Sequence, residues 1–251
     1  MRRVAALALL LGGCASPLVP DDRAAAQPEG ASGWQAKPGW TFPRAAVAAA
    51  HPLAAEAGAR VLRAGGNAMD AAVAVQMVLA LVEPQSSGIG GGALLLHWDG
   101  REVAAWDGRE TAPAAADERL FLQPDGRPMP FLAALVGGRS VGVPGAVRML
   151  EAAHRVHGRL PWARLFEPAI ALAERGFLVT PRLHQAIATT AQLSADPLAR
   201  AHFFDADGRP LPVGHRLRNP ALAAVLRAIA ARGSVALHEG LGQDLAGASL
   251  L

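Results

Sequence analysis

The chain has 251 residues, with one cysteine, no tyrosine and a single lysine, Lys37. One thiol, Cys14, excludes an intrachain disulfide, so a packed core has to hold the fold. Nearly all the positive charge is arginine, and the arginines form no run of five or six. Aromatics are only 5% of the chain. A nucleic-acid binder would show a basic stripe with aromatics between the charges, so no nucleic-acid partner is expected. No G-x-S-x-G elbow occurs, which leaves an α/β-hydrolase serine unsupported. What is present is a hydrophobic content of 51% with 18% charged residues. That is a globular composition, with a sizeable core for one or two domains.

The N-terminus reads as an address. Met1-Arg2-Arg3 is basic, residues 4–11 are apolar, and Gly12-Gly13 precede Cys14. The apolar stretch is too short to span a bilayer and has the order of a secretory signal over residues 1–13. Small residues before the only cysteine resemble the lipobox of bacterial lipoproteins, which implies lipidation of Cys14. Ala15, where an Asp would mark retention, implies the periplasmic side of the outer membrane. An ordinary cleaved signal with an incidental cysteine is the plainer alternative. Residues 14–43 contain Pro17, Pro20, Pro28, Pro38 and Pro43 among small residues. They read as a flexible tether.

The folded part is expected over residues 44–251. Pro52 suits the first turn of a helix with Leu53, Ala57 and Val61 on one face, ended by Gly65-Gly66. Asn67 suits an N-cap, with Asp70 near the positive end of the next helix. Residues 68–82 are apolar nearly all round, which predicts a buried helix broken at Glu83-Pro84. Gly88-Ile89-Gly90-Gly91-Gly92-Ala93 fits the pattern G-x-G-x-x-A. The dinucleotide fingerprint needs strand, loop, helix; here a helix comes first and a strand over 93–98 follows, so a nucleotide site is rejected. The glycines are read instead as backbone freedom, for positive φ and close approach. Trp98-Asp99-Gly100-Arg101-Glu102 recurs at Trp106-Asp107-Gly108-Arg109-Glu110. The first copy predicts a hairpin with Asp99-Gly100 as a two-residue turn, and the second a loop. The Asp-Gly-Arg-Pro runs at Asp125 and Asp207 are expected to be turns. Helices are predicted over 147–156, 161–175, 181–193 and 220–231. Helices, a strand pair and more helices make an α+β or layered α/β fold.

Candidate chemistry is sparse. His154 and His157 have a spacing that can hold a metal on a helix, but without a further ligand cluster they are read as solvated helix histidines, and no metal is expected. The run Asp107-Gly108-Arg109-Glu110-Thr111-Ala112-Pro113 is the most suggestive polar cluster. Its arginine is either a surface ion pair or a fork for a substrate carboxylate, and spacing leaves both open.

Several runs together resemble the γ-glutamyltransferase family. They are His51-Pro52-Leu53-Ala54, Gly65-Gly66-Asn67-Ala68-Met69-Asp70-Ala71-Ala72, Val82-Glu83-Pro84-Gln85-Ser86-Ser87-Gly88-Ile89-Gly90-Gly91-Gly92 and the Asp107 to Pro113 run. Val143-Pro144-Gly145, Gly158-Arg159-Leu160-Pro161-Trp162, Pro168-Ala169-Ile170 and Gly176-Phe177 follow in the same order. The resemblance implies a four-layer αββα sandwich of the N-terminal-nucleophile hydrolases, here incomplete. It implies a proenzyme that cuts itself into two subunits, exposing a threonine that attacks a γ-glutamyl amide such as that of glutathione. No cofactor is implied. Arg109 corresponds to the arginine that grips the α-carboxylate of the glutamyl group, and Glu110 helps orient its loop. The family's nucleophile lies further along than Leu251, so no catalytic residue is expected in this chain. Thr189-Thr190 falls where the family has none. This stretch alone is expected to release no p-nitroaniline from a γ-glutamyl anilide. A related amidohydrolase or acylase, and a non-catalytic truncated lipoprotein, are the alternatives.

Overall fold

The computed structural model describes Gly39 and residues 41–241. The signal expected at 1–13, Cys14 and nearly all of the tether expected at 14–43 lie outside the described residues.

Helix α1 (Pro52–Arg63) starts where His51 accepts the Leu53 N–H at 3.1 Å on Nδ1, with Pro52 in the first turn. Its buried face is Ala54, Ala57, Gly58 and Val61, with Leu53 packed beside it. Gly65 then takes φ +91, a left-handed turn that glycine adopts without strain. Helix α2 (Ala68–Val82) has a full capping box. Asn67 accepts from the Asp70 N–H at 3.1 Å, and Asp70 accepts from the Asn67 N–H at 2.9 Å. It is buried nearly all round, through Met69, Val73, Met77, Val78, Leu81 and Val82 among others, as its apolar sequence requires.

Strands β1 (Ala93–Trp98) and β2 (Val103–Gly108) form an antiparallel hairpin, Ala93 opposite Gly108 and Trp98 opposite Val103. The connection is a four-residue loop and not the expected two-residue turn. Asp99 Oδ1 accepts from the N–H of both Arg101 (2.7 Å) and Glu102 (3.0 Å), and those bonds favour the wider loop. Leu95 and Trp106 pack inward, while Leu94, Leu96, Trp98 and Val103 face outward and exposed.

After a short helix α3 (Phe131–Leu135) come α4 (Ala146–His157), α5 (Glu167–Arg175), β3 (Phe177–Leu178), α6 (Pro181–Thr189), α7 (Pro197–Phe203), β4 (Arg216–Leu217) and α8 (Pro220–Arg232). The helix predicted over 161–175 is split. Trp162–Phe166 is a 3₁₀ turn, and α5 restarts with Pro168 in its first turn, because proline has no N–H to continue the ladder. The helix predicted to 193 stops at Thr189 and gives way to a 3₁₀ turn, Ala191–Ala195. Phe166, Leu165, Ala169, Leu226 and Ile229 close the core over α2, and the Trp162 Nε1–H donates to the Ile229 carbonyl at 3.1 Å.

The fold is mixed helix and sheet. Among the described residues the sheets are two two-stranded ones, so the stacked pair of larger sheets expected of a sandwich is not formed by them. No helix among them is long and apolar enough to cross a membrane.

Candidate functional site

Arg109 follows directly on β2, and four local devices fix its backbone. Asp107 Oδ1 accepts the Arg109 N–H at 2.8 Å, the same turn that Asp99 makes in the first copy of the repeat. Thr111 and Val143 exchange backbone bonds of 3.3 and 2.8 Å. The Gly91 carbonyl accepts from the Gly145 and Ala146 N–H groups at 3.2 and 3.1 Å, tying the glycine-rich loop to the start of α4. Finally, backbone lies where side chains would clash. A Cβ on Gly145 would collide with the Gly108 carbonyl, and one on Gly92 would collide with the Glu110 carboxylate and sit 2.9 Å from the Arg109 Cα.

None of the glycines from Gly88 to Gly92 has a positive φ, and of the two roles expected for them the structure uses close approach, at Gly92 alone. The Arg109 side chain is 75% exposed, and its Nε lies 3.6 Å from Glu110 Oε2. That ion pair is long and solvated, which leaves most of the guanidinium's five donors free for a ligand. Glu110 is more enclosed, wedged against Gly92 and Gly142.

The glycine-rich loop is anchored at its other end by a buried polar group. Glu83 is 1% exposed and closes α2. Its Oε2 accepts from Arg182 Nε at 2.8 Å and Gln85 Nε2 at 2.5 Å. Gln76 Nε2 donates to the Ser87 hydroxyl at 2.9 Å, holding the next part of the loop. His51 also faces this group. Burial pushes its imidazole below its ordinary value, against the opposing pull of the Glu83 charge. His51 Nε2 and Gln85 Oε1 are buried without a hydrogen-bond partner in the structure.

His154 and His157 diverge. His154 Nε2 lies 3.2 Å from Asp70 Oδ1 and 3.0 Å from the Leu160 carbonyl, so this nitrogen is assigned the proton. His157 stacks on His97 with ring centroids 4.1 Å apart, and Trp106 meets it edge-on. The expectation of solvated histidines is therefore corrected: both pack into the contacts of α4. Among the described residues no group of three or more His, Cys, Asp or Glu could hold a metal. Thr189 and Thr190 donate their hydroxyls to the Gln185 and Ala186 carbonyls, both at α6's last turn. They finish a helix.

A family profile described as Gamma-glutamyltranspeptidase matches residues 54–248. The chain belongs to the γ-glutamyltranspeptidase family. It is 40% identical over 196 residues to the glutathione hydrolase proenzyme of Bacillus subtilis (strain 168), covering 77% of this chain and 33% of that protein. It is 42% identical over 214 residues to the acylase ACY 1 proenzyme of Pseudomonas sp. (strain SE83), covering 80% of this chain and 38% of that protein. Among solved structures, Helicobacter pylori γ-glutamyltranspeptidase superposes with a TM-score of 0.78 at 32% identity, over 83% of this chain and 60% of that one. The chain thus spans about a third of the length of these curated relatives.

Three of the ordered runs meet at the Arg109 loop: the glycine-rich run, the Asp107 to Pro113 run and Val143-Pro144-Gly145. Sequence reasoning misses Asp70 and Glu83 as fixed points. Helix capping marks Asp70 only as a charge near a helix end, yet its oxygens also accept the Arg159 N–H at 3.0 Å and the Leu160 N–H at 3.2 Å. The available signal is an acid inside an otherwise apolar run, which calls for partners.

Proposed function

We propose that the chain is the N-terminal portion of a glutathione hydrolase or γ-glutamyltransferase, in which Arg109 binds the α-carboxylate of the γ-glutamyl donor. One observation carries this reading: an exposed guanidinium on a backbone pinned by Asp107, Val143 and the glycine-rich loop. Such a rigid fork pairs bidentately with a carboxylate, at about 1.5–3 kcal/mol per charge-assisted bond. A threonine on a second subunit, released by self-cleavage, attacks the γ-amide carbon and expels the amine. Water or an amino acid then takes the acyl group. The exposed outer face of the β1–β2 hairpin is where a second sheet packs, completing the αββα layers. Residues 1–13 direct export, and acylated Cys14 holds the protein on the periplasmic side of the outer membrane. Globomycin sensitivity of processing tests that anchor; a chain that matures unchanged with the inhibitor present rules it out.

In the protein that carries this chain with its second subunit, Arg109→Ala is expected to raise the KM for γ-glutamyl-p-nitroanilide about tenfold or more. Unchanged KM and kcat would make Arg109 a structural residue. Identity to an acylase as high as that to the glutathione hydrolases supports a second reading, an acyl amide without the α-amine. Turnover of glutaryl-p-nitroanilide in preference to the γ-glutamyl anilide would select it.

A further inference from the structure

We propose that a cleft between α1 and α5 binds a small organic anion with an apolar body. The cleft encloses about 300 Å³, within reach of small-ligand sites. Leu160, Pro168 and Ala171, each half-buried, supply an apolar wall. Arg60, Arg164 and Arg175 lie around it with one acid, Glu167. Arg60 is held by Glu56 at 2.9 Å. Arg164 and Arg175 take part in none of the ion pairs among the described residues, and neither does Glu167. Two unpaired guanidiniums over hydrocarbon favour an anion whose remaining atoms are apolar. A carboxylate accepts from the arginine fork, and the body covers Leu160, Pro168 and Ala171. A bare phosphate satisfies only the first half of the site. None of the residues around the cleft belongs to the Arg109 loop, so this site stands or falls independently of the proposed function.

The test is NMR titration of the full chain with hexanoate, reading the Leu and Ala methyls and the arginine Nε–H signals. Hexanoate is expected to shift Leu160, Ala171, Arg164 and Arg175, with hexylammonium leaving them in place. Arg164→Gln and Arg175→Gln should each weaken hexanoate about 2- to 5-fold, the range of a solvated ion pair, and Glu167→Gln should tighten it by a similar factor. These three side chains are solvent-facing, and circular dichroism checks that each variant folds. The gain with Glu167→Gln is a second reading that loss of fold cannot mimic. Equal shifts from hexylammonium, binding of inorganic phosphate as tight as hexanoate, or affinities unmoved by all three substitutions would overturn the proposal.

Discussion

Asp70 shows what one buried side chain holds. It is fully buried, and its two oxygens meet the N–H groups of Asn67, Arg159 and Leu160 and the ring of His154. Asn67 Nδ2 adds a 2.5 Å bond to the His157 carbonyl at the same junction. Asp70→Ala strands these donors away from water and is expected to cost about 3–5 kcal/mol, with Asp70→Asn costing less because it keeps one acceptor. Urea unfolding measures both; a loss below about 1 kcal/mol would show that water replaces the carboxylate freely. His51 and His202 give a pH dependence. Burial holds both imidazoles below the ordinary 6.5, and for His51 the Glu83 charge only partly offsets it. The unfolded chain therefore binds these protons more readily. Stability is complete above pH 6.5 and falls as pH drops through the lower folded values. The urea midpoint should decrease between about pH 7.5 and about pH 5, and His202→Gln should flatten that decrease. A midpoint that rises on acidification contradicts the sign.

Among the elements, the hairpin, the glycine-rich loop and the start of α4 meet with almost no space between backbones. Gly145 has an ordinary φ of −113, so its requirement is for space and not for conformation. A Cβ there lies 2.6 Å from the Arg109 carbonyl oxygen. Gly145→Ala is expected to cost about 1–3 kcal/mol, which lowers Tm by about 2–4 °C per kcal/mol in a chain of this size. Gly90 has open space around its Cβ position and serves as the control. Equal Tm values for Gly90→Ala and Gly145→Ala would mean that the close approach is not a constraint. Proline also acts on whole elements. Pro168 divides what the apolar pattern reads as one helix, since periodicity registers the buried face and not the missing N–H.

At the scale of the molecule, among the described residues the core lies among α1, α2, α4, α5, α6, α8 and the β3–β4 pair, and the hairpin's outer face is left open. Leu94, Leu96 and Trp98 are 72%, 74% and 60% exposed. A contiguous apolar strip of this kind associates in water. The chain is expected to self-associate with rising concentration by light scattering, and Leu94→Lys with Leu96→Lys should suppress this without lowering Tm. A chain that stays monomeric throughout would show that the strip is harmless. Much of the fold is legible without coordinates. The bounds of α2, the β1 strand, the Asn67 cap and the Asp125 and Asp207 turns are local matters of periodicity, capping and turn chemistry. Family membership also needs only the order of motifs. Packing decides the rest. It turns His154 inward to Asp70, puts His157 on His97, gives Glu83 to Arg182 and sets Gly92 and Gly145 against the Arg109 backbone. Most of those contacts join residues far apart in the chain, and the partner of a buried polar group is set by which elements pack together, a property no local pattern carries.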